Sequence, residues 1–534
     1  MITAQTVFGA FAESAARWPD RPFLNVLPET AEIYGIDAGE ITYAEALKTV
    51  QDHVAEIEAA GYVKGQRVMV LLENRPSYFL WWLAFNALGI SVVPVNPDLR
   101  AAEMEYMIGH GEPVLALSLA SRADELRSAA EAAKVQMPVV TPGEALPRAV
   151  STEAIAARTG DAEAALLYTS GTTGQPKGCI LTDEYFTEAG RWYSTATGVC
   201  ALNTDGERMI TPLPIFHMNA MAFSFMAMVA VGGCLTALDR FHPRSWWDSV
   251  RRSRATCLHY LGVMPSMLMG AEPCAEDRNH SVRFGFGAGI DPKLHAPFEE
   301  RFGFALTEAW AMTETGAGAT ICANREPRNV GTSCIGWPQD TVEARLVDDS
   351  GADADQGELL VRHAGPDPRK GFFAGYFKNP DATYEAWEGG WFHTGDIVRR
   401  AADGTMYFVD RKKNVIRRSG ENIAAVEVES ILARHPAIAG VAVAAVPDEI
   451  RGDEVFACIV PKDAASPELA EEITTWCLTQ LAYYKAPGYI AFVEDLPVTA
   501  TQKLQRAVLK TRAAELLKDP QTIDTRHLKK RSAA

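Results

Sequence analysis

Between Tyr168 and Gly178 the chain reads YTSGTTGQPKG, eleven residues that gather three glycines, the aliphatic hydroxyls of Thr169, Ser170, Thr172 and Thr173, and the charge of Lys177. Glycine lets the main chain turn through conformations closed to other residues, so successive N–H groups can converge on one concavity; the hydroxyls add donors and the lysine a full positive charge. Phosphate is the guest such a nest suits. The P-loop is a different solution, because it places Gly directly before its Lys and Ser or Thr directly after, whereas Pro176 and Gly178 flank Lys177 here. A surface turn would account for a bare G-x-x-G, but not for a run of this length and composition.

A phosphate loop needs a frame, and the surrounding sequence supplies one. At 534 residues, 47% of them hydrophobic, the chain exceeds what one core supports, so two domains are expected. GQRVMVLLEN, ISVVPVN, RMITPLPI, ATCLHYLGV and VRFGFGAGI read as strands buried on both faces, and SWWDSVRRSR as a crossover helix. The stretch that follows the glycine-rich loop reads as a helix. Tyr78–Val95 (YFLWWLAFNALGISVVPV) is the strongest membrane candidate, a span needing about 20 apolar residues; with Asn86 inside it, Gly89 as a stop and a β-branched tail, it reads instead as helix, turn and buried strand. DIVRRAADGTMYFVDRKKN reads as a hairpin turning at Asp403 and Gly404, followed by a compact unit with a helix in AAVEVESILARH and a strand in IAGVAVAAVP. The fold class is therefore α/β: a large N-terminal domain of mixed, largely parallel sheets flanked by helices, residues 1–412, and a small mobile α+β C-terminal domain, residues 413–534, joined by a hinge across Arg411 to Asn414. The net charge of −17 argues against a nonspecific grip on nucleic acid or an anionic membrane. Nine scattered cysteines without metal-ligand spacing, and an amphipathic N-terminus without a basic leader, point to a reduced, cytoplasmic protein without structural zinc.

The loop signature resembles that of the adenylate-forming superfamily, which includes acyl-CoA synthetases, adenylation domains and firefly luciferase. The resemblance continues in order through PLPIFHMN, GFGAGI, EAWAMTET, GYFKNPDAT, WFHTGD, DRKKNVIRRSGENI and PVTATQKLQR, covering roughly residues 160–510. It implies that Thr169, Ser170, Gly171, Thr172, Thr173, Gly174 and Lys177 hold the ATP phosphates. Gly287, Ala288 and Gly289 join the nucleotide site, Trp310 stacks on adenine, and Asp396 takes both ribose hydroxyls, a carboxylate being able to accept two hydrogen bonds at once. Thr313 offers a hydroxyl to the α-phosphate, and Glu314 is the implied Mg²⁺ ligand, magnesium preferring hard oxygen donors. Arg411 reaches the ribose or phosphate, Lys413 marks the hinge, and Lys503 bridges the substrate carboxylate and the α-phosphate. Ala311 and Gln502 stand where the family more often has glycine.

The acyl site is less legible. His217 occupies the place of a family residue on the path to the acyl carbon, and Met221, Met226 and Met228 recur near helical spacing, as a core stripe or as an adaptable apolar pocket. Gly420 matches the glycine beside the pantetheine tunnel, which favours an acyl-CoA synthetase similar to crotonobetaine/carnitine-CoA ligases, with ATP, Mg²⁺ and coenzyme A as its cofactors and a small-molecule carboxylic acid as its substrate. An adenylation enzyme loading a carrier protein in trans, and a nucleotide-binding regulator without catalysis, are the alternatives. No nucleic acid and no membrane span is expected, and a homodimer is left open.

Overall fold

The computed structural model describes residues 2–150, 162–169, 176–348, 350–411, 415–497 and 504–530. In a seven-stranded sheet, Arg67–Leu71, Ser91–Pro94, Leu115–Ser118 and Glu163–Thr169 run parallel, and the first three are buried at every residue. That is what their unbroken apolar runs require, since a parallel sheet is covered on both faces. The helix Pro76–Ala87 starts on a proline, which is preset for a first turn, and buries every residue from Tyr78 to Asn86. Gly89 then turns the chain at φ +67° into the strand Ser91–Pro94. No helix among the described residues is long and apolar enough to cross a membrane.

A thirteen-stranded sheet forms the second layer. Its spatially consecutive strands Pro22–Val26, Cys234–Ala237, Arg208–Thr211, Cys257–Leu261, Phe284–Ala288 and Ala305–Trp310 are all parallel. The order then turns antiparallel, ending in the hairpin Phe392–Arg400 with Met406–Arg411 and the strands Gln356–His363 and Val342–Val347. Gly404 closes that hairpin at φ +84°, and Asp403 accepts from the Thr405 N–H.

One element departs from the sequence reading. The glycine-rich loop leads not into a helix but into a six-residue strand, Lys177–Thr182, which pairs antiparallel with Glu163–Thr169. The helix Asp183–Thr195 begins only after Thr182, whose hydroxyl accepts from the Tyr185 N–H as an N-cap. The residues that flank the loop, Thr169 and Lys177, are thus paired with each other across two antiparallel strands.

Beyond residue 415 the chain forms a six-stranded sheet with the helices Ala425–Leu432, Pro467–Gln480 and Arg506–Leu516. Its apolar cores, from Ile416 onward, are separate from the large core that ends at Met406. Within it Glu454, fully buried, accepts from Arg418 Nε at 2.8 Å and from Lys529 Nζ at 2.5 Å. Removing both cations would leave an uncompensated buried carboxylate, at a cost of about 3–5 kcal/mol or more.

Candidate active site

A cavity of about 590 Å³ opens at the C-terminal ends of the parallel strands, and the C-terminal domain closes one side of it. The carboxyl edge of a doubly wound sheet is where such folds place ligands.

At one end stands Asp396, 1% exposed, in register with Arg411 across the hairpin. Trp310 Nε1 donates to Asp396 Oδ2 at 2.8 Å, fixing the carboxylate's rotamer. Trp310 itself is buried behind the cavity wall, which Ala309 and Ala311 supply instead; the indole braces the aspartate in this structure and does not face the open space. Gly287 and Ala288 line the cavity at the end of their strand, and a Cβ on Gly287 would collide with the Tyr260 carbonyl. Gly289, at φ +80°, lies off the cavity, its N–H donating to the buried Glu308, which also accepts from Tyr260 Oη at 2.6 Å and the Ile290 N–H. Burial pushes the Glu308 carboxyl above its ordinary pKa, although these donors oppose the shift. Glu308 thereby holds the turn of GFGAGI in place.

Thr169 and Lys177 face each other at the loop's stems and both line the cavity; Ser170, Gly171, Thr172, Thr173 and Gly174 lie outside the described residues. Lys177 Nζ sits 4.7 Å from the centre of the Tyr376 ring, and Tyr376 Oη donates to Glu314 Oε1 at 2.9 Å. Thr313 and Glu314 line the same wall, with Glu314 7% exposed. Among the described residues no group of three His, Cys, Asp or Glu side chains is placed to enclose a metal ion. One carboxylate beside one hydroxyl is the donor set that Mg²⁺ uses when phosphates and water complete its shell, so these residues fit that ion.

The helix Ala101–Gly111 braces the loop from behind. Tyr106 Oη donates to the Pro176 carbonyl at 3.0 Å, and His110 Nδ1 lies 2.8 Å from Tyr168 Oη, so each stem is tied to this helix.

The other end of the cavity is made by the C-terminal domain. Gly420, at φ +92°, lies against Leu261, and a Cβ there would collide with Leu261 Cδ1. Its neighbour Glu421 reaches His217 Nε2 at 3.3 Å. Lys485 bridges the two domains, donating to Glu103 at 2.7 Å and to Glu427 at 2.6 Å, and the Ala482 N–H donates to Glu103 at 3.0 Å. Burial opposes the charge on Lys485, yet the two carboxylates win and lift its pKa above the ordinary lysine value. Asn96 Nδ2 adds a bond to Tyr484 Oη at 3.0 Å.

The structure therefore gathers Thr169, Lys177, His217, Gly287, Ala288, Thr313, Glu314, Asp396 and Gly420 around one space, and leaves Gly289 and Trp310 off it. Arg411 is described by its backbone alone, and Lys413 and Lys503 lie outside the described residues. Met221, Met226 and Met228 are fully buried core, not cavity wall. Tyr376, Glu421, Lys485 and Asn219 are site residues the sequence reading did not single out. Tyr376 lies inside GYFKNPDAT and Glu421 inside SGENI, but only tertiary contact reveals what either touches.

Comparison with known proteins places these features in a wider set. Residues 11–377 match the model of the AMP-binding enzyme family, and residues 427–503 that of the AMP-binding enzyme C-terminal domain. The chain is 30% identical over 502 residues to a crotonobetaine/carnitine–CoA ligase of Salmonella arizonae, covering 90% of this chain and 96% of that one. It is 32% identical over 524 residues to a sulfoacetate–CoA ligase of Cupriavidus necator, covering 94% and 97%. Among solved structures, a malonyl-CoA ligase in ternary product complex with methylmalonyl-CoA and AMP superposes with a TM-score of 0.72 at 26% identity, over 90% of this chain and 97% of that one.

Proposed function

The chain belongs to the AMP-binding enzyme family and is an acyl-CoA ligase, and from that premise we propose that it activates a carboxylic acid with ATP as an acyl adenylate and then passes the acyl group to coenzyme A. The observation that supports this reading is that one cavity is lined by the loop stems Thr169 and Lys177 and by Asp396 at one end and by the Gly420–Glu421 turn at the other. Both half-reactions take place on the same carboxyl group, its oxygen in the first and its carbon in the second, and one cavity presents it to both.

In the first step an oxygen of the acid attacks the α-phosphorus and pyrophosphate leaves, a reaction governed by alignment and charge neutralisation. Lys177 and the loop around it hold the departing phosphates, Thr313 donates to the α-phosphate, and Asp396, its rotamer set by Trp310, takes the ribose hydroxyls. Lys503 brings the remaining positive charge to the reacting oxygens. Magnesium, held by Glu314 beside Thr313, would offset phosphate charge. Tyr376 serves as a positioning residue by fixing the Glu314 carboxylate.

In the second step the thiolate of coenzyme A attacks the acyl carbon and AMP leaves. Lys503 and the thiol need the same approach, so the C-terminal domain alternates between two seatings about the Arg411 to Asn414 segment. The seating in this structure puts Gly420 toward the cavity, with Glu421 on His217 and Lys485 clamped by Glu103.

The test is stoichiometric. With ATP, coenzyme A and an accepted acid, AMP and thioester should accumulate one for one, and omission of the acid should stop both. Formation of ADP, or acid-dependent AMP release without a thioester to free coenzyme A, would overturn the reading.

A further inference from the structure

Most of the cavity wall beside His217 is apolar, made by Phe216, Met218, Phe223, Leu261 and Phe286. Besides the Glu421 carboxylate that meets His217, Asn219 is the polar residue set among these apolar ones, and it is held from behind. Residues Asn219–Ser224 form a π-helical turn, a rare geometry that recurs at functional sites. Behind the turn His259 is fully buried in the strand Cys257–Leu261, with Nδ1 at 2.6 Å from Asn219 Oδ1 and 2.8 Å from Ser224 Oγ, and Nε2 at 3.1 Å from Tyr193 Oη.

The protons in this network can be assigned by accounting. Ser224 Oγ donates to the Asn219 carbonyl at 3.3 Å, so toward the imidazole it accepts. Nδ1 therefore carries the ring proton, shared between Ser224 Oγ and Asn219 Oδ1, and Tyr193 donates to Nε2. Burial pushes the His259 pKa down to about 3, so the ring stays neutral and this tautomer persists through the neutral range. The consequence falls on Asn219. With Oδ1 turned to the imidazole, its amide cannot flip, and Nδ2 is left without an acceptor among the described residues while the side chain lines the cavity.

We propose that Asn219 is a specificity-determining residue whose Nδ2 donates to an uncharged oxygen carried on the body of the acid, so that the preferred substrates are carboxylic acids bearing a hydroxyl, carbonyl or ether oxygen. This rests on reading the cavity as the acyl site. An uncharged acceptor is favoured over a second carboxylate because, among the described residues, no lysine or arginine stands beside Asn219 on this wall. Lys177 lies at the phosphate stem, Arg417 belongs to the C-terminal domain, and Lys485 is held between two carboxylates.

The experiment compares kcat/KM for matched acids of equal length, one hydrocarbon and one with an internal hydroxyl or carbonyl, in CoA-dependent AMP release. Wild type should favour the oxygenated member by about 10- to 100-fold, the range for one hydrogen bond against a stranded donor. Asn219→Leu should lower kcat/KM for the oxygenated acid by that factor more than for its hydrocarbon partner. Tyr193→Phe removes the donor to Nε2 and loosens the ring that holds Asn219, so it should erode the preference by a few-fold while kcat/KM for the hydrocarbon acid stays unchanged, as a positioning role requires. Equal use of both acids by wild type, preference for the hydrocarbon or a dicarboxylate, or equal losses for both acids in Asn219→Leu would each overturn the proposal. If no acid of the panel yields a thioester, the acyl-ligase reading fails first, a result distinct from turnover without preference.

Discussion

The role proposed for Glu314 depends on a tyrosine. Tyr376 Oη occupies Oε1 of a carboxylate that is itself 7% exposed, so the group is aimed before any ligand arrives. A hydrogen-bond partner of a metal-binding carboxylate typically contributes 10- to 100-fold to metal affinity or activity. Tyr376→Phe should therefore slow ATP–pyrophosphate exchange by about 10-fold and raise the Mg²⁺ concentration needed for half-maximal rate, and Glu314→Gln should lose at least about 100-fold. Exchange at the wild-type rate in Glu314→Gln would sink the assignment. The contrast between the two residues shows what a sequence discloses at this scale. Thr313, Glu314 and Asp396 are singled out by motif, and the structure sets all three around one cavity. Tyr376, Glu421 and Asn219 take their meaning from partners 62, 204 and 40 residues away, and no local pattern encodes that. Trp310 lies between these cases: its residue type suggests an aromatic platform, and its placement gives an indole donor behind Asp396.

At the scale of elements, long apolar runs announced the buried strands well, because parallel strands must be apolar on both faces. The strand Lys177–Thr182 was hidden by its neighbours, a glycine-rich loop before it and a capped helix directly after. Two elements carry predictions about the second half-reaction. Gly420 adopts a left-handed φ and abuts Leu261, so Gly420→Ala costs about 1–2 kcal/mol of backbone strain in addition to the collision. It should slow conversion of supplied acyl adenylate to thioester at least 10-fold while adenylate formation persists. Glu103→Gln weakens the grip on Lys485 and should depress the same step more than the first, leaving Glu427 to hold the lysine alone within its own domain. Equal loss in both half-reactions for either variant would show that these contacts serve folding and not docking.

At the scale of the molecule, a large core ending at Met406 and separate cores beginning at Ile416 make division of labour between domains a physical option. Lys503→Ala should abolish adenylate formation from acid and ATP, yet spare thioester formation from supplied adenylate; parallel loss of both would rule out alternate seatings. The large core also carries a pH-dependent support. Burial raises the Glu299 carboxyl, but hydrogen bonds from Arg328, His295 and the Leu306 N–H outweigh it and hold the pKa at about 2, below the ordinary 4.5. A depressed carboxyl stabilises the fold above the ordinary pKa, and that contribution fades as pH falls from 4.5 toward 2. Glu299→Gln should cost about 2 kcal/mol at pH 7, less than full linkage because water screens part of the pair, and the difference from wild type should shrink below pH 4 in urea melts.

The helix Ala101–Gly111 touches both active regions at once. Glu103 near one end anchors the C-terminal domain, and Tyr106 and His110 farther along hold the two stems of the phosphate loop. Eleven residues make a rod of about 16 Å. On the proposed two-step reaction, a stem that shifts when pyrophosphate departs would move one end of the same stiff body whose other end seats the domain. The order of events, first product out and then second reactant in, would then be kept by a single piece of secondary structure.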